Sequence, residues 1–114
     1  MEAPFECTTT SLADGHLVTV RGEVDLETAP QLAETLAELA NGTIRVDMSA
    51  VTFLDSSGLN ALTAAHRHIT RAGRRMIICG PLDPIVQQVF EITGLDDVFA
   101  IDDSVREQVE QRAS

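Results

Sequence analysis

Two short polar segments of the sequence carry the residue types that could do chemistry. Residues 22–25 read Gly-Glu-Val-Asp, and residues 55–59 read Asp-Ser-Ser-Gly-Leu. The second segment opens a predicted helix, so the hydroxyls of Ser56 and Ser57 fall at a helix N-terminus, where free N–H groups and the helix dipole favour negative charge. A phosphate added there would also bring about 1.5 to 2 negative charges next to Asp55. A site of this kind can therefore switch an interaction if one of its serines is phosphorylated.

A simpler interpretation of the same serines stays open from the residues alone. A serine at the start of a helix is most often an N-cap, whose hydroxyl accepts a hydrogen bond from a free backbone N–H group. The spacing of Ser56 and Ser57 fits both interpretations. Gly58 has no side chain and would let other groups approach the backbone closely.

Helical periodicity predicts the elements that hold these segments. A first helix is predicted over residues 28–40, where Thr28 and Gln31 have the spacing of a capping box and Pro30 fits the first turn. A second helix is predicted from Ser56 to Arg71, followed by Gly73. Its apolar positions recur every three or four residues and share one side: Leu59, Leu62, His66 and Ile69.

Two further helices are predicted in the second half of the chain. Asp83 caps one that opens with Pro84 and ends at Gly94. Its expected buried positions are Ile85, Val89 and Ile92. The last helix is predicted to begin at Ser104, which has capping-box spacing with Glu107.

Strand patterns alternate with these helices and determine the predicted fold class. Strands are expected at residues 4–10, 16–20, 43–48, 76–79 and 98–101. This order predicts an α/β fold with a four- to five-stranded, mainly parallel mixed sheet and about four helices. Since the second and third strands run toward the same sheet edge, residues 22–25 and 55–59 are expected to lie close together there.

The composition excludes several classes of partner. The chain has 114 residues and a formal net charge of −10, and all eight of its basic residues are arginine. Such a molecule should repel nucleic-acid phosphates and anionic lipid surfaces. No apolar run approaches the roughly 20 residues of a membrane span, and Met1 to Ser11 lacks the pattern of a signal peptide. We therefore expect a cytoplasmic protein, with Cys7 and Cys79 as free thiols.

The motifs of common enzyme sites are absent. The sequence has no G-x-x-x-x-G-K-[ST] loop, no G-x-G-x-x-G after a strand and no G-x-S-x-G elbow. His66 and His68 are two residues apart, so on one helix they point in different directions and cannot chelate one metal ion. We expect no metal, no cofactor and no catalytic activity of its own.

The two polar segments, in their order and spacing, resemble the STAS domain of anti-anti-sigma factors, also called anti-sigma factor antagonists. The resemblance rests on residues 22–25 and on Phe-Leu-Asp-Ser-Ser-Gly-Leu at 53–59. It extends through Arg-Ala-Gly at 71–73 and Phe-Glu-Ile-Thr-Gly-Leu at 90–95. It covers essentially the whole chain and implies that residues 1–114 form a single STAS domain.

The resemblance implies a protein that acts by binding. In this family, the unphosphorylated domain binds an anti-sigma factor that is also a serine kinase, and the sigma factor is released. Phosphorylation ends the interaction, and a PP2C-type phosphatase restores it. This partner switching implies control of transcription, as in a stress response, without contact with DNA, by a monomer or weak dimer.

The resemblance also implies roles for single residues. The phosphoacceptor position falls on Ser56, with the adjacent Ser57 as the alternative if it is not the helix cap. Asp25 and Asp55 match family acids that help to position Mg-ATP or a partner arginine. The expected partner-binding residues are Glu23, Asp25, Asp55, Ser56, Ser57, Gly58, Asn60, Thr63 and Arg67, with Arg71 on the same helix face.

Other function classes remain open at this point. The chain could be a STAS subunit of a larger signalling scaffold or lipid-transport complex, in which Ser56 is only a helix cap. It could also bind a small ligand at the strand ends.

Overall fold

A mixed five-stranded sheet is the centre of the computed structural model, which describes residues 5–102. The strands lie in chain order across the sheet, and β1 is antiparallel to β2 while all other pairs are parallel. In chain order the elements are β1 (Glu6–Leu12), β2 (Gly15–Val24), α1 (Ala29–Glu38), β3 (Thr43–Leu54), α2 (Ser56–Arg71), β4 (Met76–Cys79), α3 (Pro84–Thr93) and β5 (Ala100–Asp102).

The three helices cover one face of this sheet. Each connects two neighbouring parallel strands, and right-handed crossovers that all step in the same direction leave their helices on the same side. The main core accordingly joins the buried side chains of the helices to alternate strand residues such as Val18, Val46 and Ile78. Ile77 and Cys79, which point to the other face, form a separate small cluster.

The predicted fold class is confirmed, and several elements have the predicted bounds. Helix α2 and strand β4 begin and end at the predicted residues. Helix α3 has Asp83 as its N-cap and ends at Gly94, whose φ of 75° is the left-handed conformation that favours glycine. The predicted last helix, from Ser104 to Glu107 and beyond, lies outside the described residues.

Strand β3 is longer than predicted, and its pairing with β2 is irregular. The alternating pattern breaks after Met48, yet the strand continues to Leu54. Its 12 residues pair with only ten of β2, so β3 accommodates two extra residues at register shifts. At the first shift, the Asp47 carboxylate accepts hydrogen bonds from the Ser49 N–H group at 2.9 Å and hydroxyl at 2.7 Å.

Two helix predictions were wrong in detail. Helix α1 is shorter than residues 28–40, and Thr28 forms no capping box because its hydroxyl donates to the Glu23 carbonyl instead. In α3 the expected buried side is displaced: Val86 and Phe90 are buried, whereas Ile85 is 56% exposed and Ile92 is 75% exposed. Apolar residues occupy two sides of α3, and periodicity alone cannot tell which of them faces the sheet.

The remaining strand bounds differ from the prediction by a few residues. The first two strands were predicted over 4–10 and 16–20 and run over Glu6–Leu12 and Gly15–Val24. Pairing explains the extensions, since a seven-residue ladder joins β1 to β2 directly across the turn, and β2 stays paired with β3 as far as Val24. The last strand is Ala100–Asp102 rather than 98–101, because the chain forms hydrogen-bonded turns after α3.

Candidate functional site

The two polar segments lie side by side at the carboxyl edge of the sheet. Val24 and Leu54, the last residues of β2 and β3, are register partners. The Asp55 N–H group donates to the Val24 carbonyl at 3.2 Å, so the sheet hydrogen bonding continues into the loops. Asp25 and Asp55 therefore follow adjacent strand ends, as the topology predicted.

Helix α2 is capped by a carboxylate and not by a serine hydroxyl. Asp55 is the N-cap, and its Oδ1 accepts hydrogen bonds from the N–H groups of Ser57 at 2.9 Å and Gly58 at 3.2 Å. The capping interpretation of the two serines was wrong, because Asp55 already accepts from the N–H groups that a serine cap would have served. Within residues 5–102, neither serine hydroxyl takes part in a hydrogen bond.

The two serines differ in exposure. Ser56 is the first residue of α2 and is exposed, whereas Ser57 is half-buried and faces Leu26 and Ala29 of the neighbouring segment. An incoming enzyme would therefore reach the Ser56 hydroxyl more readily.

Gly58 packs beneath the site and is not part of its exposed surface. The residue is buried, and a Cβ atom added to it would contact the Leu54 side chain and lie 2.8 Å from Val24 Cγ1. The first turn of α2 thus sits directly on the ends of β2 and β3. The absence of a side chain serves packing, and the place of Gly58 in the partner-binding set stays a prediction.

Asp25 organises the loop between β2 and α1. Its Oδ1 accepts hydrogen bonds from the N–H groups of Glu27 at 3.0 Å and Thr28 at 3.1 Å. The Thr28 hydroxyl accepts from the Asp25 N–H group at 2.9 Å and donates to the Glu23 carbonyl at 2.8 Å. This closed set of bonds fixes where the Asp25 carboxylate lies relative to the start of α2.

Carboxylates dominate the charge around Ser56. Glu23, Asp25 and Asp55 are half-buried, and Glu27 is exposed. Within the described part of the chain none of the four is paired with a cation, since the ion pair of Arg45 with Asp14 lies at the opposite sheet edge. Further negative charge placed at Ser56 would meet little neutralisation from this chain.

The outer face of α2 continues from Ser56. Asn60 and Arg67 are exposed, and Thr63 is half-buried with its hydroxyl donating to the Leu59 carbonyl at 2.7 Å. Helical spacing places these side chains and Arg71 along one face. The geometry thus brings the predicted surface residues into one continuous surface with the exposed serine at its head.

Leu26 is a site residue that sequence reasoning missed. It lies between Asp25 and Glu27 at the tip of the loop and is 76% exposed. A leucine inside an otherwise polar loop was a visible signal, because a large apolar side chain has no structural use at a loop tip.

Clusters of metal ligands and membrane-spanning helices are both absent from residues 5–102. This part of the chain contains no group of three His, Cys, Asp or Glu side chains placed to hold a metal ion. None of its helices combines the length and the apolar character needed to cross a bilayer.

Comparisons with known proteins agree with this architecture. The family model described as the STAS domain matches residues 9–108. An anti-sigma-B factor antagonist of Listeria monocytogenes is 33% identical over 85 residues, which cover 72% of this chain and 74% of that protein.

Two solved structures share the fold. An anti-sigma factor antagonist from Mycobacterium paratuberculosis superposes with a TM-score of 0.82 at 24% identity and covers 100% of both chains. The Bacillus cell fate determinant SpoIIAA in the phosphorylated form superposes with a TM-score of 0.71 at 20% identity, covering 95% of this chain and 98% of that one.

Proposed function

The chain belongs to the STAS domain family, and from that premise we propose that it is an anti-sigma factor antagonist controlled by phosphorylation of Ser56. In its unphosphorylated form it binds an anti-sigma factor, and a sigma factor is released. Phosphorylation of Ser56 ends this binding.

One observation carries the proposal: the exposed hydroxyl of Ser56 has no structural task. Asp55 performs the capping, and the Ser56 hydroxyl forms no hydrogen bond within residues 5–102. A side chain that stabilises nothing locally is free to accept a phosphoryl group at little cost to the fold.

Charge explains how such a modification would act. A phosphate adds about 1.5 to 2 negative charges beside Asp55 and in the neighbourhood of Asp25. A partner surface built to fit these acids without the phosphate would face added repulsion and desolvation. A loss of about 3 kcal/mol weakens binding more than a hundredfold.

The relatives support this role. The Listeria relative is named for its antagonism of an anti-sigma-B factor, and SpoIIAA, of the same fold, has a solved phosphorylated form. On this proposal residues 1–114 act as one STAS domain in the cytoplasm, as the substrate of the anti-sigma factor's serine kinase activity. A PP2C-type phosphatase restores the binding form.

The carboxylates have a part in this proposal as well. Asp25 and Asp55 are held in place by their own hydrogen bonds, so they present fixed negative charge beside the acceptor hydroxyl. Fixed carboxylates suit the positioning of a partner arginine or of the magnesium ion of Mg-ATP.

The test combines phosphorylation with binding. The purified chain is mixed with each anti-sigma factor kinase encoded in its source genome and with Mg-ATP, and the modified residue is mapped by mass spectrometry. Ser56→Ala should accept no phosphate and still bind, Ser56→Asp should lose binding, and Ser57→Ala is the matched control that should still be phosphorylated on Ser56.

Two outcomes would overturn the proposal. One is equal binding of a cognate anti-sigma factor by Ser56→Ala and Ser56→Asp. The other is a chain that no kinase modifies and that no anti-sigma factor binds, which would favour a structural STAS subunit of a larger complex.

A further inference from the structure

A shallow apolar groove runs between α1 and α2. It consists of two adjoining cavities of about 360 and 220 Å³. The larger one begins at Leu26 and Ser57, and both cavities share Ala33 and Ala61 as lining residues. The groove therefore starts beside the candidate site and continues along the helix pair.

Small side chains produce this groove. Both helices begin at the carboxyl edge of the sheet and run in the same direction, with alanines facing each other across the gap. Ala33, Ala37 and Ala64 are exposed, so the core does not fill the space between the helices. The lining from Ser57 to His68 spans eleven residue steps, or about 16 Å of helix.

The two helices that form the walls of the groove differ in charge, although their charged side chains lie beside the lining and not in it. Helix α1 contains two glutamates and no basic residue, and Glu34 follows Pro30 of the lining by one turn. Helix α2 contains no acidic residue, and Arg67 and Arg71 follow Ala64 at helical spacing. A bound segment would therefore meet an acidic wall on one side and a basic wall on the other.

We propose that this groove receives an amphipathic helix of the anti-sigma factor. The helix would place an apolar stripe against Ala33, Ala37 and Ala64, with Lys or Arg beside α1 and Asp or Glu beside α2. Length supports this occupant, since a groove of about 16 Å accommodates about three helical turns. Charge supports it too, because the two walls select both the flanks and the direction of the helix.

The inference rests on the proposed function and deepens it. The groove opens at Ser57, next to the acceptor Ser56, with the exposed Leu26 at its mouth. A phosphate on Ser56 would stand at the entrance and repel the acidic flank of the incoming helix. Modification of one residue would thereby control a docking surface that extends well beyond it.

Exposed alanines allow the groove to be filled without disturbing the core. Ala37→Leu and Ala64→Leu occupy the space from either wall, and Gln31→Leu adds the same side chain to another side of α1 as the matched control. Each is mixed with the purified anti-sigma factor that the wild-type chain binds. The two groove variants should bind at least roughly tenfold more weakly, and the control should stay within roughly twofold of wild type.

A second measurement works on the unaltered chain. With alanine methyl groups labelled for NMR, addition of the anti-sigma factor should shift the signals of Ala33, Ala37 and Ala64 and leave the exposed Ala72 unchanged. Phosphorylation of Ser56 should abolish the shifts.

The outcomes separate the two proposals. If the wild-type chain binds no anti-sigma factor, the proposed function fails. If the wild type binds and is released by phosphorylation, but both groove variants bind equally well and the groove methyl signals do not move, only the docking inference is overturned. Dimerisation of the chain alone that Ala37→Leu abolishes would assign the groove to a second copy and also overturn it.

Discussion

Helices α2 and α3 both follow a parallel strand, and both begin after an aspartate whose carboxylate caps them. In each case Oδ1 accepts a hydrogen bond of 2.9 Å from the N–H group two residues further on, at Ser57 after Asp55 and at Ile85 after Asp83. The first helical residue differs, since it is Ser56 in α2 and Pro84 in α3. An aspartate cap alone therefore does not create a candidate modification site. The residue that follows the cap determines whether a reactive hydroxyl is present.

Packing distinguishes the same two helix starts. Three residues after the cap, α2 has Gly58 and α3 has Val86, and both are buried. A side chain fits beneath α3, whereas at Gly58 even a Cβ atom would press on Leu54 and Val24. The start of α2 thus packs directly on the strand ends, which places Ser56 next to the Asp25 loop.

The largest effect on stability is expected when Gly58 is given the side chain that α3 has at Val86. Gly58→Val introduces a branched side chain into a filled space, and we expect it to lower the free energy of unfolding by about 3 kcal/mol or more. Urea denaturation followed by circular dichroism measures the loss. Asn60→Val is the control, since it puts the same side chain on an exposed position of the same helix and should cost about 0.5 kcal/mol. A loss below about 1 kcal/mol in Gly58→Val would contradict the close packing of α2.

Removal of either helix cap should lower the free energy of unfolding less than Gly58→Val does. Asp55 accepts two backbone hydrogen bonds and Asp83 accepts one, so Asp55→Ala should cost about 1 to 2 kcal/mol and Asp83→Ala about 1 kcal/mol or less. Asparagine also caps helices, and Asp55→Asn should therefore recover most of the loss in thermal or urea unfolding. Equal losses at the two caps would show that the second bond of Asp55 contributes nothing.

These contrasts explain what the sequence could predict and what it could not. The bounds of α2 follow from local signals, because Asp55, Gly73 and the apolar spacing between them agree. The capping role of Asp55 was missed because three adjacent residues, Asp55, Ser56 and Ser57, are all good cap residues. Only the observed geometry identifies the one whose oxygen faces the free N–H groups.

Helix α3 shows a different reason for failure. Its sequence has apolar residues on two sides, and the choice between Ile85 and Val86 as the core residue depends on how the helix lies on the sheet. Likewise, the continuation of β3 beyond Met48 depends on its pairing with β2 and on the bond of Ser49 to Asp47. The groove between α1 and α2 is a property of two helices together, so no local pattern reveals it.

The strands that precede the two helices also differ, and pH should reveal it. β3 ends at Leu54, whereas β4 ends at the fully buried Cys79, and burial together with the nearby Asp47 and Asp102 carboxylates raises the pKa of this thiol to about 12. In the unfolded chain the thiol pKa is near its ordinary value of 9.0. Stability should therefore be nearly unaffected below pH 9 and fall as the pH rises from 9 toward 12, by about 1.4 kcal/mol at pH 10.

The composition of the chain allows the titration of the thiols to be measured without overlap from other kinds of side chain. It contains no lysine and no tyrosine, so no other kind of side chain titrates between pH 9 and pH 12. Cys79→Ala should remove most of the fall in urea midpoint over this range. Cys7→Ala should keep most of it, although burial raises the pKa of Cys7 as well. An unchanged pH profile in Cys79→Ala would contradict the burial of the thiol at the end of β4.

The smallest expected effect is the most informative about the difference between the two helix starts. Because the Ser56 hydroxyl forms no hydrogen bond within residues 5–102, Ser56→Ala should change the free energy of unfolding by less than about 0.5 kcal/mol. A loss above about 1 kcal/mol would mean that the hydroxyl is a cap after all. Combined with complete loss of phosphate acceptance, a neutral result would show that the hydroxyl at the start of α2 serves modification and not stability, a role that Pro84 at the start of α3 cannot fill.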